Sequence, residues 1–135
     1  MTESNAPSKS FKIIHWMAVI FLFLMMAQPT FENIRALLTG VLVMGTSTID
    51  VTFSDMILHV GAMIIGWVGF WWFFKQQKRG AYTSIAAHLL GLIAALTQTP
   101  ELLFEMMPPA VIAIFFIVLL VVTMGPILAF KDEYA

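Results

Sequence analysis

The sequence contains no cysteine and few charged residues. The absence of cysteine excludes disulfides, thiolate metal sites and cysteine-ligated iron–sulfur clusters, so a metal or haem would have to be bound by histidine, methionine or carboxylate. Only 11% of the residues are charged, compared with roughly a quarter in soluble domains. The net charge of −1 provides no basic field that would hold nucleic acid, which excludes that class of partner. These deficits indicate a protein surrounded mainly by lipid.

Four apolar runs divide the chain, at residues 11–28, 54–74, 82–97 and 109–130. Apolar runs of about 17 to 25 residues cross the hydrocarbon core as helices, and only the third run is slightly short. The first run follows two lysines, as a signal peptide would, but its length and its Gln28–Pro29 ending favour a retained helix. We therefore predict an all-α integral membrane protein whose transmembrane domain, residues 11–130, is a four-helix bundle.

The basic residues predict the orientation of the chain in the membrane. Placing the amino terminus inside puts six of the seven lysines and arginines on the inner side, which agrees with the positive-inside rule. Both termini are then cytoplasmic in a bacterial inner membrane, with residues 1–10 as a disordered tail and 131–135 as a second short tail.

The segments between the spans predict how the helices are connected. Residues 34–44 are apolar but too short to cross the membrane, so we expect an extra short interfacial or re-entrant helix on the outer face. The connection at residues 75–80 is short, which predicts that the second and third spans are antiparallel neighbours.

All three histidines fall within apolar spans, where ionisable groups are rare and usually face an interior partner or a cofactor. Small residues share a helical face with two of them. On the second span this face holds His59, Ala62, Gly66 and Gly69, and on the third it holds Ser84, His88, Gly91 and Ala95.

Two interpretations of these faces remain open. A flat macrocycle needs an imidazole that ligates iron and small residues beside it, which makes His15, His59, His88, Gly66 and Gly91 candidate cofactor-binding residues and the histidines candidate ligands of haem iron. The same small residues would also let two helices approach closely, with a histidine donating a hydrogen bond across the contact.

Three short motifs resemble the prokaryotic four-helix b-type cytochromes of the cytochrome b561 type, over about the first 95 residues. They are the Lys12–Trp16 sequence KIIHW, the Leu58–Gly61 sequence LHVG and the Ala87–Gly91 sequence AHLLG. The fold of that family is shared with the membrane cytochrome subunits of hydrogenases and formate dehydrogenases.

The resemblance implies two b haems that pass electrons between a redox partner and a quinone, with His15 as an inner-haem ligand and His59 as an outer-haem ligand. The fourth span departs from the family because it contains no histidine, whereas the family's fourth helix supplies the second ligand of both haems. Met106, Met107 and Met124 are the methionines that could offer sulfur instead. The alternatives are one haem between His15 and His88, which the predicted topology places at the same depth near the inner side, a scaffold without cofactor, or a chlorophyll-type pigment with a single axial imidazole.

Other functions find little support in the sequence. No charged residue occupies the middle of a span, no internal repeat suggests a transporter, and no glycine-rich phosphate loop is present. We therefore expect a non-catalytic subunit of a larger energy-transducing membrane complex, with haem b as cofactor and quinone, lipid and other membrane subunits as partners. The competing hypothesis is a cofactor-free accessory subunit of a respiratory or photosynthetic complex.

Overall fold

The computed structural model of the protein describes residues 6–135, so the first half of the predicted amino-terminal tail lies outside the described residues. The elements in chain order are α1 (Lys9–Thr39), β1 (Val41–Met44), β2 (Ser47–Asp50), α2 (Phe53–Phe74), α3 (Lys78–Gln98), α4 (Pro100–Met106), α5 (Pro109–Ala129) and a 3-10 turn (Lys131–Glu133). Four helices, α1, α2, α3 and α5, are long and apolar enough to cross a membrane. The predicted all-α membrane bundle is confirmed.

The four long helices expose large apolar side chains on their outer surfaces. Met17, Ile64, Ile93 and Val121, one from each helix, are all more than half exposed. A soluble protein rarely leaves so much contiguous apolar surface in contact with water. The outer surface of the bundle is therefore suited to lipid, and the chain is an integral membrane protein.

Helix α1 is defined by a cap at each end. The Ser8 hydroxyl accepts a hydrogen bond from the Phe11 backbone N–H at 3.1 Å, which satisfies one of the free amides of the first turn. Gly40 ends the helix in the left-handed conformation, with φ of 70°, and its N–H donates to the Ala36 carbonyl. The 31 residues between these caps give a length of about 46 Å, which exceeds the roughly 30 Å of hydrocarbon.

The prediction of a separate short helix at residues 34–44 is wrong. Residues 34–39 form the last turns of α1, and Val41–Met44 pairs with Ser47–Asp50 as an antiparallel hairpin. Gly40 stops the helix, and Gly45, with φ of 61°, allows the tight turn between the strands. The one short helix of the described chain is α4, which begins at Pro100 and precedes α5.

Helices α2 and α3 are antiparallel neighbours, as the short connection predicts, and they form the most extensive contact in the bundle. A Cβ atom added to Gly69 would lie 2.7 Å from the Ser84 backbone nitrogen. One added to Gly80 would collide with the backbone of Phe73. Glycine at these positions therefore lets the two helix backbones approach closely, as small residues do in many membrane proteins.

The two ends of the bundle carry opposite charges. The end where α1 and α3 begin and α2 and α5 finish holds six of the seven basic residues and is called the basic end: Lys9, Lys12, Lys75, Lys78, Arg79 and Lys131. The opposite end, called the acidic end, holds Glu32, Arg35, Asp50, Asp55, Glu101 and Glu105. The assignment of the basic end to the cytoplasm stays a prediction.

Candidate functional site

His15 lies in an aromatic cluster at the basic end. Only 3% of the residue is exposed, and its ring stacks against Phe11 and Phe73 with a centroid distance of 5.5 Å to each. Its Nδ1 atom lies 2.8 Å from the Tyr134 hydroxyl. In the structure, His15 is therefore a hydrogen-bonded residue of the core.

Tyr134 is a residue of this cluster that the sequence did not single out. Burial raises the pKa of Tyr134 to about 12, because the phenolate would lose its hydration. The phenol is therefore protonated at neutral pH and can donate to His15. Ala135 holds this segment in place by exchanging backbone hydrogen bonds with Gln76 and Lys78, each at 2.8 Å. The signal available in the sequence was a lone aromatic residue at the end of a short polar segment.

A cavity of about 590 Å³ lies toward the acidic end, between α1, α2, α3, α4 and α5. This volume is within the range of about 300 to 1,000 Å³ that is typical of small-molecule sites. His59, His88 and Gly91 line the cavity, whereas His15 and Gly66 do not. The lining is mainly apolar and includes six methionines: Met25, Met26, Met44, Met63, Met106 and Met107.

Gly66 does not border the cavity, so it does not make room there for a macrocycle. The end of the Met26 side chain occupies the space that a Cβ atom of Gly66 would need, and Ala87 of α3 lies on the other side. Gly66 therefore lets α1 and α3 pack against α2. Gly91 is also close to α2, since a Cβ atom on it would lie 3.9 Å from the Ala62 Cβ, but it still borders the cavity.

His59 is paired with a glutamine at the acidic end of the cavity. Its Nε2 atom lies 2.7 Å from the Gln98 Oε1 atom, and the Gln98 amide nitrogen donates to the Asp55 backbone carbonyl. Because that carbonyl can only accept, the amide oxygen of Gln98 must face the histidine, and the His59 Nε2–H donates to it. The free lone pair of a neutral His59 is then on Nδ1.

His88 has the opposite arrangement. Its Nδ1 atom lies 2.7 Å from the Ser84 backbone carbonyl, which can only accept, so Nδ1 carries the proton and Nε2 carries the lone pair. This Nε2 atom is buried and has no hydrogen-bond partner among residues 6–135. An unpaired buried polar atom costs about 1 to 3 kcal/mol. Histidines that ligate metals commonly donate their other ring N–H to a backbone carbonyl in this way.

The sequence predicts that His15 and His88 lie at the same depth in the membrane, but the structure places them at different depths. His15 contacts Phe73, whose backbone packs on Gly80 of α3, and His88 lies eight residues farther along that helix, about 12 Å. His59, in contrast, borders the same cavity as His88. It pairs with Gln98, ten residues beyond His88 along α3, so the His59 ring lies nearer to the acidic end than the His88 ring does.

Two of the three candidate methionines border the cavity. Met106 and Met107 belong to its lining, and Met124 does not. Residues 6–135 contain no cluster of three or more histidine, aspartate or glutamate side chains that could hold a bare metal ion. The side chains around the cavity that could bind a metal are the imidazoles of His59 and His88, the carboxylate of Glu32 and the thioethers of the lining methionines.

Comparison with protein-family models, with curated proteins and with solved structures finds no match. The resemblance to the cytochrome b561-type family therefore stays a prediction.

Proposed function

We propose that this chain is a small integral membrane subunit of an energy-transducing complex, in which a b haem bound in the cavity takes part in quinone-linked electron transfer. The observation that supports this most strongly is that His88, a residue that borders the cavity of about 590 Å³, has a buried Nε2 atom without a hydrogen-bond partner among residues 6–135. A bond to haem iron would give this atom the partner that residues 6–135 do not supply.

The surroundings of His88 suit an axial ligand. The Ser84 carbonyl fixes the tautomer and the ring orientation of His88, and Phe115 packs against the ring with a centroid distance of 5.8 Å. The apolar lining would exclude water from the macrocycle, and a methionine such as Met106 or Met107 is available as a second ligand. A bound haem would supply one-electron chemistry, which none of the side chains around the cavity provides.

The polar end of the cavity suits the quinone part of the proposal. Gln28, Glu32, Asn33 and His59 border the cavity toward the acidic end, whereas its remaining lining is mainly apolar. A quinol has a polar ring and an apolar tail, so its hydroxyl groups would meet hydrogen-bond acceptors there, including the free Nδ1 of His59. The basic end would face the cytoplasm of a bacterial inner membrane, in agreement with the positive-inside rule.

Two specific observations favour a second candidate function, that of a cofactor-free accessory subunit in a respiratory or photosynthetic complex. His15 and His59 already have partners within the chain, and Gly66, Gly69 and Gly80 serve close helix packing. A pigment-binding subunit is the intermediate case, because a chlorophyll-type ring needs one axial imidazole and His88 would provide it.

An absorption spectrum of the protein purified from its native membranes tests the proposal. We expect the α-band of a b haem after reduction with dithionite, its loss in His88→Ala and His88→Gln, and its retention in the matched variant His59→Gln. A featureless visible spectrum would contradict haem binding, and absorption that does not respond to dithionite would indicate a pigment. Loss of the band only in His59→Gln would contradict the assignment of the ligand to His88.

A further inference from the structure

Three basic residues are concentrated at the basic end in residues 75–80, which comprise the loop between α2 and α3 and the first turn of α3 and are called the α2–α3 connection. Lys75 and Arg79 are exposed and Lys78 is partly exposed. The guanidinium carbon of Arg79 lies 4.1 Å from the centroid of the Trp72 ring, and the Lys75 ammonium lies 4.9 Å from that of Trp71. These cation–π contacts hold two positive charges at the level of two tryptophans.

The charges of this connection are not neutralised within the described chain. Between residues 6 and 135 the only ion pair is Arg35–Glu32, at the acidic end. Asp132 and Glu133 lie at the basic end, but neither forms an ion pair with the connection. The Arg79 Nε–H donates to the Gln77 side-chain oxygen at 2.7 Å, which leaves the two terminal nitrogens as donors for an anion.

The position of the tryptophans identifies the kind of anion. Tryptophan side chains concentrate at the membrane–water interface, beside the lipid headgroups. Trp71 and Trp72 lie in the last turn of α2, directly before the polar connection. Lipid phosphates are therefore the anions expected nearest to Lys75 and Arg79, and basic clusters directly beyond the end of a membrane helix commonly bind anionic headgroups.

We propose that the α2–α3 connection binds the headgroup phosphate of an anionic phospholipid, through Lys75, Lys78 and Arg79 above the rings of Trp71 and Trp72. This binding site is at the basic end, whereas the cavity lies toward the acidic end, and it does not depend on haem or quinone binding.

Native mass spectrometry of the full chain in a neutral detergent tests the site. We expect phosphatidylglycerol to bind more tightly than phosphatidylcholine with the same acyl chains. Each basic residue near an anionic headgroup contributes about five-fold in affinity, so Lys75→Gln/Arg79→Gln should weaken phosphatidylglycerol binding about 25-fold and leave phosphatidylcholine binding unchanged. Excess inorganic phosphate should displace little of the lipid, because it lacks the acyl chains.

The matched control is Lys12→Gln/Lys131→Gln, which removes the same charge from the same end of the bundle but outside the connection. We expect this control to keep most of the affinity for phosphatidylglycerol. Equal binding of the two lipids, equal weakening by both double variants, or complete displacement by inorganic phosphate would overturn the proposal. Arg79→Lys provides a test that keeps the charge, and it should bind with an affinity between those of the unaltered chain and the double variant.

Discussion

At the basic end the helices enclose His15 between aromatic rings, whereas toward the acidic end they surround a cavity of about 590 Å³ that His88 borders. Both histidines are in membrane helices, and both have Nδ1 in a hydrogen bond. His15 is packed on both faces of its ring, but His88 retains a buried nitrogen without a partner in the described chain. Burial therefore does not distinguish the two histidines, whereas hydrogen bonding does, because a buried polar atom without a partner is rare in folded proteins.

The largest expected effect comes from disrupting the close packing of α2 against α3 at the basic end. Gly80→Ala should unfold or severely destabilise the protein, because the new Cβ atom would collide with the Phe73 backbone, which cannot yield as a flexible side chain can. The measurement is the thermal unfolding midpoint in detergent, followed by size-exclusion chromatography with fluorescence detection.

Gly61→Ala is the matched control for that substitution. A Cβ atom on Gly61 would meet nothing within 4 Å, and alanine is favoured over glycine inside a helix by up to about 1 kcal/mol. We therefore expect an unchanged or slightly raised unfolding midpoint. Similar unfolding midpoints for Gly80→Ala and Gly61→Ala would show that α2 and α3 pack less closely than they do in the structure.

The difference between the packed basic end and the cavity toward the acidic end could be only partly predicted from the sequence. The apolar runs and the short connection at residues 75–80 predicted the spans and the antiparallel α2–α3 pair, because these depend on local composition. The fate of residues 34–44 depended on Gly40, whose left-handed conformation ends α1, and an apolar composition alone does not distinguish the resulting strand from a helix.

The candidate site shows the same division between local and tertiary information. The sequence placed His59 and His88 among small residues, and both border the cavity. It could not show that Gly66 is covered by Met26 or that Tyr134 folds back onto His15, since both depend on contacts between distant parts of the chain. The depth assigned to His15 and His88 followed from helix direction alone, which has too little resolution to separate residues about 12 Å apart.

A smaller effect should distinguish the two kinds of surface on one helix. Ala94 is completely buried, whereas the adjacent Ala95 borders the cavity. Ala94→Met should therefore lower the free energy of unfolding by about 1 to 3 kcal/mol through overpacking. Ala95→Met should be nearly neutral, because its side chain can enter the cavity.

Chemical denaturation of both variants in detergent checks this expectation. The spectrum supplies a second measurement, since the added side chain in Ala95→Met should also reduce haem occupancy if the proposed function is right. An equal loss of stability in the two variants would indicate that the cavity is closed in solution.

The smallest expected effect concerns Tyr134, because the ionisation of its phenol reports on the packing of the basic end. Burial raises the pKa of Tyr134 from 10.0 to about 12, so the folded state binds the phenolic proton more tightly than the unfolded state does. The stabilisation linked to this proton is present below pH 10 and is lost as the pH rises through about 12.

An ultraviolet titration of Tyr134 checks this expectation. In a Tyr82→Phe background, where Tyr134 is the remaining tyrosine, the absorbance of the phenolate should rise with a midpoint near pH 12. A midpoint at the ordinary value of 10.0 would mean that Tyr134 is exposed and that His15 lacks its hydroxyl partner. Tyr134→Phe should then cost much less than the roughly 1 kcal/mol expected for losing this hydrogen bond.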